Sequence, residues 1–191
     1  MKTIAIATVA GFAAVSAAQS VATFTVTPSA TEIAPGGTVT FEVTAQADSG
    51  LVGNNSGIGG VNLSVDIANG TLDMGSLSAT SSAFGQVNTD ESDSNFQISF
   101  QANSFAGDNF DIGEVLFSFS VTAGDIGTLD ISTSQGSLSG FNAAVGIPAP
   151  FGTAVAYDTV NFGGASVNVI PAPGAVAVLG LGGLAAARRR R

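Results

Sequence analysis

Phe96-Gln97-Ile98-Ser99-Phe100-Gln101, followed after one loop by Val115-Leu116-Phe117-Ser118-Phe119-Ser120-Val121, is the stretch that decides the fold. Large apolar residues alternate with small polar ones in both halves. A period of two is the mark of a strand with one buried face. Phe96, Ile98 and Phe100 form one inward set. Val115, Phe117, Phe119 and Val121 form the other, with Leu116, Ser118 and Ser120 pointing outward. The two segments are expected to be antiparallel neighbours at the centre of a core.

The same alternation runs outward in both directions. Phe24-Thr25-Val26-Thr27 ends at Pro28, and the turn Ala34-Pro35-Gly36-Gly37 leads into Thr38–Ala47. There Val39, Phe41, Val43 and Ala45 face inward. Val61, Leu63, Val65 and Ile67 mark a further strand, with Asn62, Ser64 and Asp66 on its other side. Leu72, Met74 and Leu77 suggest a short one. Residues 127–134 read as a strand with Leu129 and Ile131 inward, residues 142–152 as a loop with two prolines, and residues 153–162 and 165–169 as closing strands. The composition is rich in Gly, Ser, Thr, Val and Phe, which suits strands rather than helices. No amphipathic helix and no fixed-period repeat is visible. The expected fold is all-β, a single jelly-roll-like β-sandwich of eight or nine strands.

Charge divides the chain sharply. All five basic residues, Lys2 and Arg188 to Arg191, lie at the two ends, and the intervening body holds all fourteen acidic residues with no Lys, Arg or His. Its formal charge is −14, so no side-chain ion pair forms within it. Nucleic acid is excluded as a partner, because nothing in the body neutralises phosphate.

Residues 1–18 read as a secretory signal peptide. Lys2 supplies the positive start, Ile4 to Ala18 are apolar and small, and Ser16-Ala17-Ala18 places cleavage after Ala18. The other reading of this segment is an N-terminal membrane anchor. At the opposite end stand Pro171-Ala172-Pro173-Gly174, an apolar run from Ala175 to Ala187, and Arg188-Arg189-Arg190-Arg191. Thirteen helical residues reach roughly 20 Å against a bilayer core of about 30 Å. The run is short, and snorkelling arginines help it to span. Four arginines after it hold the C-terminus on the cytoplasmic side. A weak tail anchor or a buried C-terminal helix are the plainer readings, but consecutive arginines cannot be buried without partners.

This three-part tail, residues 170–191, resembles the PEP-CTERM family of sorting signals, with Pro171-Ala172-Pro173 where the family usually carries Pro-Glu-Pro. The resemblance implies export to the cell envelope, surface or extracellular matrix, membrane attachment through the C-terminal segment before processing, and recognition by an exosortase-like membrane protease. Residues 19–169 in turn resemble the cohesin domain. The residues that carry this are Val39-Thr40-Phe41-Glu42-Val43 after Pro35-Gly36-Gly37, then Gly59-Gly60-Val61-Asn62-Leu63-Ser64-Val65-Asp66, Phe96 to Phe100, and Gly113-Glu114-Val115-Leu116-Phe117-Ser118-Phe119. Family cohesins bind dockerin modules and assemble polysaccharide-degrading complexes.

The chemistry on offer is limited. With no His or Cys in the chain, Ser–His and Cys–His nucleophiles and the usual zinc sites are unavailable. Without a body Lys, so is Schiff-base chemistry. Carboxylate pairs remain, such as Glu91 with Asp93 or Asp111 with Glu114, but a glycosidase needs two carboxyls across a cleft, which spacing alone does not give. The expectation is a non-enzyme with no obligatory cofactor. Asp90-Glu91-Ser92-Asp93-Ser94-Asn95 gathers oxygen ligands that suit Ca²⁺, with Asp90, Glu91, Asp93 and Asn95 as the candidate set. The bland reading is a solvated acidic loop, and a thinner cluster is formed by Asp108 and Asp111. Sugar-binding sandwiches use exposed Trp or Tyr platforms. This chain has no Trp and only Tyr157. Asn54, Asn62 and Asn69 open N-x-Ser/Thr triplets, read as chance on the bacterial source that the tail resemblance implies. The sequence thus points to an adhesion or assembly module whose partner is another surface protein or a polysaccharide, the alternative being a carbohydrate-binding or cohesin-type module of a polysaccharide-degrading system.

Overall fold

A computed structural model describes residues 20–47, 58–79, 83–84, 94–102, 113–137, 144–146 and 155–172. These residues contain no helix. They form thirteen strands: β1 (Val21–Pro28), β2 (Glu32–Ile33), β3 (Thr38–Ala47), β4 (Gly60–Ala68), β5 (Gly70–Ala79), β6 (Ala83–Phe84), β7 (Asn95–Ala102), β8 (Val115–Ala123), β9 (Gly127–Gln135), β10 (Ala144–Gly146), β11 (Val155–Ala156), β12 (Thr159–Asn161) and β13 (Gly164–Val169). Five of these have only two or three residues. The other eight carry the core.

The strands make two sheets. The first runs β12-β1-β3-β8-β5. The second runs β2-β13-β9-β4, with β7 and then β6 beyond β4. On the β9 side, β10 takes over the edge of β4 at Gly60 and Val61, where β9 has already left it. The inner faces meet in one core that includes Phe24, Phe41, Leu63, Phe96, Ile98, Phe117, Phe119 and Leu129, all essentially inaccessible to solvent. Alternation therefore does its expected work along β3, β4 and β9, and the bounds of β3 match the sequence reading.

The expected pairing of the two aromatic strands is corrected. β7 pairs with β4 and β6, whereas β8 pairs with β3 and β5. They belong to opposite sheets and meet face to face through their side chains. Phe96 lies edge-on to Phe119 at 5.0 Å and to Phe117 at 6.4 Å. Alternation identifies a buried face, but either a neighbour in the sheet or a partner across the core can cover it.

Leu116 is a second correction. It is fully buried, while Val115 is 36% exposed. The cause is a shift in the β3–β8 ladder: Val43 pairs with Phe117 and Thr44 with Val115, leaving Leu116 as the extra residue of a bulge. An inserted residue turns everything before it to the opposite face. A similar irregularity in β5, between Asp73 and Ser78, leaves Met74 exposed and Leu72 buried. Ser76 secures this detour: its hydroxyl donates to the Asp73 carbonyl at 2.6 Å and accepts from Ser120 N–H at 2.7 Å.

Three further differences concern short strands. β2 was not expected, and β10 lies inside the stretch read as a loop. The segment read as one strand over 153–162 is broken at Tyr157 and Asp158 into β11 and β12.

The closing strands fix the polarity of the molecule. β12 lies parallel to β1, with Val21 level with Thr159 and Thr23 level with Asn161. Gly163 then crosses against the β1 backbone, so close that a Cβ there would stand 2.4 Å from the Phe24 carbonyl oxygen. β13 continues in the other sheet, parallel to β2, with Val169 level with Ile33. Residues 158–170 thus travel alongside residues 20–33 from one end of the sandwich to the other.

Candidate functional site

The two ends differ. At the end where Ser20 enters, Ala47, Ile58, Ala102, Gly113 and Ser137 are the flanks of the longer connections. Register places them together: Ala47 is level with Ala22, Gln101 with Gly60, and Gly113 N–H bonds the Ala45 carbonyl. This is the loop pole. Among the described residues the opposite end carries tight turns, at Ala34–Gly37, Asn69 and Gly124–Ile126; Ser94, which follows the 85–93 connection, joins near it, its carbonyl accepting from Ile67 N–H at 2.8 Å, and the chain leaves this end at Ile170. This is the exit pole.

Asn69 builds the exit pole. It adopts a positive φ of 59°, a conformation that Asn tolerates better than most residues. Its side-chain amide donates to the carbonyls of Asp125 and Thr128 at 2.9 and 3.2 Å, and its Oδ1 accepts from Asp125 N–H at 2.9 Å. One side chain therefore ties the β4–β5 turn to the β8–β9 turn. Reading Asn69 only as the head of a chance triplet missed this; the Asn69-Gly70 pair is the turn signal that could have found it.

The loop pole is closed by a clasp between residues 138 apart. Ser20 N–H and its hydroxyl both donate to Asp158 Oδ2, at 3.0 and 2.9 Å. Asp158 N–H returns a bond to Ser20 Oγ at 3.0 Å, and Thr159 N–H donates to the Ser20 carbonyl at 3.1 Å. The bonds from the Ser20 backbone and hydroxyl favour the carboxylate and lower the pKa of Asp158 below its ordinary value, against a smaller opposing effect of desolvation. Nothing local in the sequence announces this contact.

The outer face of the first sheet is paved with hydroxyls. Thr38 and Thr122 face each other at 3.4 Å, and Thr40 and Ser120 at 2.9 Å. Thr25 lies opposite Thr44, and Glu42 opposite Ser118. This is a polar surface whose carboxylates are Glu42 and Asp73, the latter opposite Ser120. The outer face of the second sheet carries Asp66 and Asp130. Asp66 accepts from the Asn95 amide, and Asp130 accepts from the Ser166 hydroxyl at 2.5 Å. Asn62 on this sheet is completely buried and donates to the Gly136 carbonyl at 3.0 Å.

Of the candidate cation ligands only Asn95 falls among the described residues. It opens β7, and its amide is engaged by Asp66 and by the Ser64 hydroxyl at 3.3 Å. Asp90, Glu91 and Asp93 lie outside the described residues, as do Asp108 and Asp111. Among the described residues no three acidic side chains are grouped as a metal site. Pro171 and Ala172 of the tail are exposed just beyond β13. Ala18, Pro173, Gly174 and Arg188 to Arg191 lie outside the described residues. No helix among the described residues is long and apolar enough to cross a membrane.

No family model and no curated protein matches the sequence. Solved structures do. A type I cohesin, the seventh of ScaB from Pseudobacteroides cellulosolvens, superposes with a TM-score of 0.54 at 13% identity, covering 81% of this chain and 94% of that one. The described sandwich has the cohesin fold. A cohesin–dockerin complex of OlpA from Clostridium thermocellum gives a TM-score of 0.51 at 12% identity, over 78% of this chain and 99% of the other. The second type II cohesin module of the ScaA scaffoldin from Acetivibrio cellulolyticus also gives 0.51, at 11% identity, over 79% and 92%. At such identities the likeness to cohesins is one of architecture.

Proposed function

We propose that this protein is an exported, non-catalytic assembly module, held at the cell envelope or surface by its C-terminal segment and recruiting a protein partner through its cohesin-like sandwich. The observation that carries the reading is the cohesin fold on a chain that has no His or Cys and a body without Lys or Arg. Such a body offers partners shape, hydroxyls and carboxylates rather than reactive groups.

The ends supply the address. The apolar start of the chain supports export, and the Pro-rich break, apolar run and four arginines support sorting by an exosortase-like protease. Fractionation tests this: deletion of residues 171–191 should release the protein from the envelope, and retention of the truncated form would count against the sorting role.

A sugar-binding role has weaker physical support. Tyr157 is only 6% exposed and so offers no stacking platform. The partly exposed Phe162, at 40%, is stacked on Phe24 at 6.3 Å. Titration calorimetry of the purified protein against a panel of dockerin modules, beside a glycan array, separates the two roles. Dockerin binding supports the assembly reading, and reproducible glycan binding would replace it.

A further inference from the structure

We infer that the exit pole is a lipid-facing surface, so that the sandwich stands on the membrane with its loop pole turned away. This rests on the reading of residues 175–187 as a membrane segment.

Geometry sets the first constraint. Ile170 is still bonded into the second sheet, its N–H donating to the Ile33 carbonyl at 2.9 Å. Only Pro171 to Gly174 separate it from the apolar run. Four residues span at most about 14 Å even when fully extended. The exit pole is therefore confined to the headgroup region or its immediate edge whenever the tail is in a bilayer.

The surface chemistry of this pole fits that position. Ile126 is 64% exposed and Ile170 is 41% exposed. Gly127 is level with Val169 on adjacent strands, so the two isoleucines project from neighbouring strand ends on one rim. Pro35 and Pro171, both exposed, belong to the same end. An exposed isoleucine at the tip of a tight turn gains nothing in water, but at an interface it buries apolar area. Asp125 and Glu32 share the rim and are exposed, and in sequence Asp90, Glu91 and Asp93 lead into Ser94, whose carbonyl accepts from Ile67 N–H near the same end. Their charge disfavours anionic lipid and suits the ammonium groups of zwitterionic headgroups. No such pair of isoleucines marks the described part of the loop pole, where Gln46 is the exposed residue near the end of β3. Gln46 lies eight residues from Thr38 at the exit end, roughly 27 Å along the strand.

The chain has no cysteine, so single-cysteine labelling is clean. Full-length protein carrying Thr128→Cys or Gln46→Cys is labelled with a fluorophore and reconstituted into phosphatidylcholine–phosphatidylethanolamine vesicles containing a doxyl-lipid quencher. Thr128 is exposed beside the rim and leaves both isoleucines intact. The label at 128 should lose most of its emission and the label at 46 almost none. Adding Ile126→Ser and Ile170→Ser should restore much of the emission at 128. Equal quenching at both sites, or quenching at 128 unchanged by the serines, in protein that floats with the vesicles overturns the lipid-facing pole and leaves the anchor standing. Protein that does not float removes the anchor and this inference together.

Discussion

Replacing Phe119 with alanine tests the central packing claim most directly. The ring is fully buried on β8, stacked on Phe41 at 5.4 Å and on Phe117 at 6.2 Å, and met edge-on by Phe96 at 5.0 Å. Burying such a ring and leaving a cavity on its removal corresponds to ~3–5 kcal/mol for Phe→Ala. Three aromatic neighbours, each worth about 0.5–1.5 kcal/mol beyond area, place Phe119 near the top of that range rather than adding to it. A loss of about 4 kcal/mol is comparable with the whole stability of a marginal domain, typically about 5–15 kcal/mol. At about 2–4 °C per kcal/mol for a domain of this size, the melting temperature should fall by about 8–16 °C. Urea unfolding followed by circular dichroism should show a matching drop in midpoint with little change in slope. Phe162→Ala is the internal control. Its ring is 40% exposed and among the described residues stacks on Phe24, so a loss of about 1 kcal/mol is expected. If Phe119→Ala costs less than about 1.5 kcal/mol, or no more than Phe162→Ala, the facing of β7 and β8 across the core is wrong.

Other expectations are sharper in sign than in size. Asp158 has a folded pKa below its ordinary value of 3.8, so its clasp with Ser20 stabilises above that value and is lost as pH falls through the lowered folded value. Asp158→Asn should therefore melt earlier than wild type at neutral pH, and melting scans should converge well below pH 3.8. Gly163→Ala forces a Cβ against the Phe24 carbonyl and should cost at least ~1–3 kcal/mol in urea denaturation, whereas Gly75→Ala, whose nearest neighbour would be 3.7 Å away, should be nearly neutral. The body carries fourteen carboxylates and no cation, so its melting temperature should rise with NaCl as the Debye length shrinks from about 30 Å at 0.01 M to about 8 Å at 0.15 M. A steeper rise with millimolar Ca²⁺ is expected if Asp90, Glu91, Asp93 and Asn95 bind it, and equal responses to matched ionic strength would dismiss that site.

The long strands were legible because their side chains report one fact, which face is wet. Val39, Phe41, Val43 and Ala45 announce β3 without help from any other part of the chain, and Leu129 and Ile131 do the same for β9. Which sheet a strand joins is a different kind of fact. Phe96 and Phe119 were assigned to adjacent strands because both are buried, and nothing in either stretch distinguishes lateral pairing from stacking across the core. The bulge at Leu116 was invisible for a related reason, since an inserted leucine in an apolar strand looks like a slightly imperfect alternation. β2, β6 and β10 are too short to show any period and exist through their partners. The Ser20–Asp158 clasp lies at the limit of this blindness, a contact between residues 138 apart made by two common side chains. At the surface, the sequence offered an acidic loop and a tail, and the described residues contribute the difference between the two ends of the sandwich that neither feature contains.

The run alongside residues 20–33 made by the last thirteen residues before the tail has a consequence for biogenesis. Both sheets receive their terminal seam from the same closing segment, β12 in one and β13 in the other. A chain synthesised N-terminus first therefore has unfinished edges on both layers until nearly its whole body has been made. Closure of the sandwich waits for residues 158–170. The window for unwanted strand exchange between nascent copies closes only when those residues dock.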